Sequence, residues 1–290
     1  MPRNYRATVV CVLHIATDAQ NRSPDGTNAG AGLHVSVLGA FGFSAADGSH
    51  PSLSGGSQRL LALLALHGES VTRGAAAGLL WPGASGDHAS SSLRSALSRL
   101  GSTTRIAVSA TDADLCLADN VVVDIRASQD LARQLLTPCG ADRVGQISAT
   151  AISALSQDLL PDWYDDWVIP EADEWRRLRR SALESLSEHL ASVGRFAHAI
   201  GAALAAVHVE PLRESANAAL IRVHLAEGNQ ADALREFRRY RALLQREIGV
   251  EPTADLFDLV GVAPSASRRG SDSRADATKW ASVPAARRHR

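Results

Sequence analysis

The chain has 290 residues, 45% of them hydrophobic, with 30 basic against 31 acidic side chains. That length suits about two folded domains, and the apolar content suits a sizeable core. Several classes fall away at once. No apolar run approaches the ~20 residues of a membrane-spanning helix. Cys11, Cys116 and Cys139 are far apart and odd in number, which argues against a disulfide framework or a zinc site and fits a reducing cytoplasm. The run ATVVCVLHIA (7–16) follows Arg3 and Arg6, but it is short, contains His14 and lacks a cleavage site, so a secretory signal is not expected.

Charge is informative by segment. Residues 34–125 carry five Arg against seven acids and 126–261 carry fifteen against twenty, while 262–290 carry seven bases against two acids. The expected organisation is a disordered polar N-terminal extension over 1–33, a first domain over 34–125, a second over 126–261, and a basic, Ser/Ala/Arg-rich disordered tail over 262–290.

In chain order, LHVSVLGAFGFSAADGSHPSL reads as two strands around Gly39–Gly42, with a turn at Asp47-Gly48. Leu60, Leu61, Leu64 and Ala65 form a helical stripe, with Ser54 or Ser57 near its start. A second short helix follows Thr72, a plausible N-cap, and stops at Pro82 and Gly83. The third helix is HASSSLRSALSRLG (88–101), with Asp87 as the expected N-cap. Leu93, Leu97 and Leu100 lie on one side of it, and Ser91, Arg94, Ser95, Ser98 and Arg99 on the other. RIAVSA and DLCLAD then read as a hairpin, closed by the strand VVVDI. Strands, three helices and a terminal hairpin describe a winged helix-turn-helix, whose third helix is placed to enter the major groove.

From Asp124 the pattern is helical. Gly194 and Gly228 stand 34 positions apart, with Ala199 and Ala233 at the same offset. That is the tetratricopeptide period, in which small residues let paired helices approach. The expected fold class is therefore mainly α with small β: an α+β winged helix-turn-helix followed by an all-α tetratricopeptide-like domain.

Chemistry-bearing candidates are few. GAFG (39–42) falls short of a dinucleotide fingerprint and suits a turn between strands. No phosphate loop, GxSxG elbow or HExxH occurs, so neither an enzyme, a metal nor a cofactor is expected. QDLLPDWYDDWVIPEADEW (157–175) is either a carboxylate site or, the favoured reading, an acidic connector anchored to the helical domain by Trp163, Trp167 and Trp175. RRLRR (176–180) is either a nucleic-acid patch or a set of arginines spread round a helix starting near Pro170 and paired with acids. The third helix is either an amphipathic surface helix or a reading helix. Arginine can grip a guanine edge or a phosphate, short serines permit close approach, and Arg105 follows near the flanking backbone.

With both halves in view, the chain resembles the Streptomyces antibiotic regulatory protein family. The resemblance rests on HVSVLGAFGF, SQRLLALLALHGESVTRGAAAGLLWP, HASSSLRSALSRL, LCLADNVVVDI and LLPDWYDDWV, and most specifically on VHVEPLRESANAALIRVHLAEGNQADAL with EIGVEPT. It implies an OmpR-type winged helix joined to a bacterial transcriptional activation domain in a short-form member without a nucleotide-binding module. It also implies binding to promoter direct repeats, a homodimer on DNA, recruitment of RNA polymerase and control of a biosynthetic cluster. Ser91, Arg94, Ser95, Ser98, Arg99 and Arg105 would contact double-stranded DNA, with no membrane partner. The rival is a protein-interaction module whose winged helix has lost DNA affinity. Where the family has basic residues after SRL, this chain has Gly101–Thr104, and residues 34–125 carry a net −2. Because phosphate neutralisation supplies much of the affinity, a single copy should bind weakly. Deleting residues 262–290 should lower DNA affinity and flatten its salt dependence in an anisotropy titration; an unchanged slope would clear the tail of that role.

Overall fold

The computed structural model describes residues 32–137 and 148–262. The expectations for the N-terminal extension, the 7–16 run and the basic tail lie outside them.

Alternation builds the first sheet. Leu33, Val35 and Val37 point inward along β1 (Leu33–Ser36), which pairs antiparallel with β2 (Gly42–Ser44). α1 (Gly55–His67) is buried along most of its length, capped by Ser54 Oγ accepting from the Ser57 amide and ended by Gly68 at φ 70°. Thr72 caps α2 (Arg73–Leu80) as expected, its hydroxyl accepting from the Ala75 amide at 3.2 Å. α3 (Gly86–Ser98) follows, then a short α4 (Ser102–Arg105) and the hairpin β4 (Val108–Ala110) and β5 (Asp114–Leu117).

Three details differ from the sequence reading. Ser85 occupies the N-cap of α3, and Asp87 lies in its first turn, where a carboxylate still faces the positive helix end. The hairpin's third strand is not VVVDI but β3 (Val71–Thr72), which pairs with β5 in a sheet ordered β3-β5-β4. VVVDI supplies β6 (Val121–Val123), which runs parallel to β1 in the first sheet. A two-residue strand leaves no period to detect, and strand partners are a tertiary property. The architecture is a winged helix-turn-helix.

The second half is all helix. α5 (Asp124–Leu135) and α6 (Ser148–Ser156) pack on α7 (Ile169–Ser192), which packs on α8 (Phe196–Val209) and α9 (Glu214–Glu227). α10 (Gln230–Glu247) and α11 (Ala254–Val260) close the end around a separate core of Phe237, Tyr240, Leu244 and Phe257. Gly194 and Gly228 stand at φ 75° and 88°, ending their helices in the left-handed region that glycine enters without steric cost. Ala199, Ala203 and Ala233 are fully buried where the paired helices meet. The chain is mainly helical with small sheets at its N-terminal end, in the expected class.

The end of β1 joins the halves. Asp124, at the start of α5, accepts the amides of Val37 at 3.0 Å, Leu38 at 3.1 Å and Ile125 at 2.7 Å. The connector returns to the same edge: Leu38 bridges Leu159, the Leu160 amide donates to Val37 O, and the Gly39 amide donates to Asp158 O at 2.7 Å. Trp163 stacks on Phe41 and meets Trp167 edge-on, and Arg59 pairs with Asp165. The acidic connector therefore anchors to both domains, not to the helical one alone. Trp175 does serve the helical side, fully buried with its indole N–H on Gln157 O.

Burial raises the Asp124 carboxyl above its ordinary value, outweighing the amide bonds that lower it. The fold therefore favours its protonated form, so this group's contribution to stability is full below the ordinary carboxylate range and is lost as pH rises through the raised value. Asp124→Ala removes the acceptor from buried amides and should cost about 2–3 kcal/mol in urea unfolding; an unchanged midpoint would show that the junction does not depend on it.

Candidate nucleic-acid interface

α3 is built poorly for an isolated helix, since its serine run has low helix propensity. It is held by what it buries: Ala89, Leu93, Ala96, Leu97 and Leu100 form its inner face. A buried hydrogen bond fixes its position, Ser57 Oγ of α1 donating to Ala96 O at 2.9 Å. At 100° per residue, Arg94, Ser98, Ser91, Ser95 and Arg99 then follow one another around an outer arc of about 140°, and all five are exposed. The structure brings these sequence-expected residues onto one face.

Their hydrogen bonding defines what the face offers. Ser95 Oγ donates back to Ser91 O and Ser98 Oγ to Ser95 O, each at 3.0 Å. Both hydroxyl protons are thus committed to the helix, leaving oxygen lone pairs outward as acceptors. Such acceptors suit the amino groups of adenine or cytosine better than a phosphate, which accepts only. Among the described residues neither Arg94 nor Arg99 has a side-chain hydrogen bond or ion pair. Arg105 is exposed but tied, its Nη1 donating to Val108 O at 3.0 Å. That bond braces α4 against the first residue of β4.

Sequence reasoning passed over Arg73 and the sign of the wing. Arg73 Nε donates to Thr111 O at 2.8 Å and its amide to Ala113 O, so the start of α2 holds the hairpin tip. The tip carries Asp112 and Asp114, and the hairpin strands hold no basic residue. The face therefore has cations on the helix and carboxylates on the wing. Three of the four arginines of RRLRR, by contrast, are spent internally: Arg176 pairs with Asp173, Arg179 with Asp158, and Arg180 with Glu210, while Arg177 is exposed. Among the described residues no group of three or more His, Cys, Asp or Glu is arranged to hold a metal ion, and no helix is long and apolar enough to cross a membrane.

The described residues thus combine a winged helix-turn-helix, whose α3 presents arginines without a side-chain partner, with a run of paired helices. Residues 123–261 match the family model for the bacterial transcriptional activator domain. Comparison with curated protein sequences gives no match. Among solved structures the chain is similar to Mycobacterium tuberculosis EmbR in complex with a low-affinity phosphopeptide. The TM-score is 0.60 at 23% identity, covering 79% of this chain and 64% of that one. The likeness supports the fold, and the chain spans less than two thirds of that protein's length. The activator-domain match covers the helical half of the chain and agrees with the resemblance to the Streptomyces antibiotic regulatory protein family.

The seat of α3 can be tested apart from any ligand. Leu93→Ala opens a cavity under the helix and should cost about 2–5 kcal/mol. Circular dichroism melts should show the loss, and an unaltered melt would mean that α3 is not held by this face.

Proposed function

We propose that the chain is a sequence-specific DNA-binding regulator of the cytoplasm. Residues 34–125 bind double-stranded DNA and 126–261 form the activating unit, flanked by the extension 1–33 and the basic tail 262–290. It acts as an activator, binding promoter direct repeats as a homodimer, recruiting RNA polymerase and switching on a biosynthetic cluster. Ser91, Arg94, Ser95, Ser98 and Arg99 face the major groove, and Arg105 lies at the flanking backbone. One observation carries this reading: Arg94 and Arg99 stand exposed and unengaged on the outer arc of a helix whose inner face is locked to the domain.

The acidic wing tip supports a second reading. Asp112 and Asp114 oppose a phosphate backbone, and a helical-repeat domain suits protein partners, as in an interaction module whose winged helix no longer binds DNA. The two readings separate by measurement. Anisotropy against DNA from upstream of the protein's own and neighbouring genes, beside a scrambled duplex and across a salt series, should give preferential binding that weakens with salt. Arg94→Ala should cost about 1–3 kcal/mol and relax base preference where it reads a base. A loss shared by all sequences would make it a phosphate contact. Equal, feeble binding to both duplexes at every salt concentration would select the interaction module.

A further inference from the structure

A cleft of about 370 Å³ opens between α6, α7 and α8, a size within the range of small-molecule sites. One wall is apolar. Ile152 faces Gly201, where the missing side chain leaves room, and Leu204 stands at the rim, 37% exposed. The other wall is polar, with Arg179, Asp158 and His208. The buried member is the cation: the Arg179 side chain is 3% exposed and that of its partner Asp158 57%. The Nε of Arg179 is buried with no hydrogen-bond partner among the described residues. With Nε out of reach of solvent and Nη1 donating to Leu155 O at 3.5 Å, the position open to exchange is Nη2, which the exposed Asp158 holds. Because Asp158 is solvated, it can yield to an incoming acid while the guanidinium stays in place.

The same wall belongs to the strap that joins the domains. Asp158 O accepts the Gly39 amide, and two residues on, the Leu160 amide reaches Val37 O with Leu160 held at φ 41°. That conformation is unfavourable for a residue with a side chain and persists only when its surroundings enforce it. An occupant that takes the place of Asp158 on Arg179 therefore acts on the residue whose backbone oxygen ties the helical domain to the winged helix.

We propose that this cleft binds a small amphipathic anion, its acid group at Arg179 and His208 and its hydrocarbon along Ile152, Gly201 and Leu204, and that the occupant, by releasing Asp158 from Arg179, loosens the strap. The site belongs to the helical domain and stands apart from the DNA reading.

The test uses the full chain and 8-anilinonaphthalene-1-sulfonate, whose fluorescence rises on binding, beside its uncharged analogue N-phenyl-1-naphthylamine. The sulfonate should saturate at one per chain and the neutral dye should bind at least tenfold more weakly. Gly201→Leu fills the cleft, its first added carbon at an ordinary 3.6 Å from Ile152 Cδ1, and Leu204→Glu places a carboxylate at the exposed rim. Each should weaken the sulfonate at least tenfold without lowering the thermal midpoint, which replacing a mid-helix glycine at Gly201 tends to raise. If Gly201→Leu unfolds, the rim variant decides. Hydrogen exchange of the segments containing Gly39 and Leu160 should quicken on saturation. Equal binding of both dyes, or of the sulfonate to wild type and Leu204→Glu, would overturn the site, and unaltered exchange would overturn its link to the strap.

Discussion

The structure turns on the exposed polar end of β1. A strand that stops at Ser36 leaves the amides of Val37 and Leu38 needing acceptors, and a buried amide without one is costly. Asp124 supplies both from the start of α5, so the first helix of the second domain is fixed where the first sheet ends. The connector uses what remains of the edge, through Val37 O and the Gly39 amide. Two segments far apart in sequence thus converge on three consecutive residues.

Everything placed for function hangs from that junction. α1 packs on the sheet and carries Ser57, which holds Ala96 and so fixes which face of α3 looks outward. On the other side, α5 docks on α7, and α7 carries the helical pairs. Among the described residues one apolar core runs through both halves, joining Leu33 and Leu60 to Trp175 and Leu186, while the last two helices share a second core with Ala218 and Ile221 of α9. A large apolar contact of this kind opposes the independent domain motion expected of a bare linker.

Under the proposed DNA-binding role, electrostatics sets a limit on how the chain engages a polyanion. The cations of the candidate face sit on α3, while the wing tip presents Asp112 and Asp114. Such a face favours contacts within one groove over a grip on the flanking backbone. It places weight on base-directed contacts, on partner copies, or on the basic residues after 262 that only the sequence records.

The sequence by itself determined the order of elements, the 34-residue repeat, the Thr72 cap and the polar arc of α3, because each is written in local periodicity or in a single backbone preference. The pairing of Arg176 with Asp173, one helical turn before it, was also legible, whereas Asp158 and Glu210 reach Arg179 and Arg180 only through the fold. What only the tertiary structure decided is partnership. It put β6 beside β1, gave the wing its third strand from two residues, moved the α3 cap to Ser85, tied Arg105 to the wing, and set Trp163 across the domain boundary on Phe41. Each of these depends on where a distant segment comes to rest. Long-range pairing and the neutralisation of a strand's open amides are satisfied only when the whole chain has packed, and no local pattern encodes them.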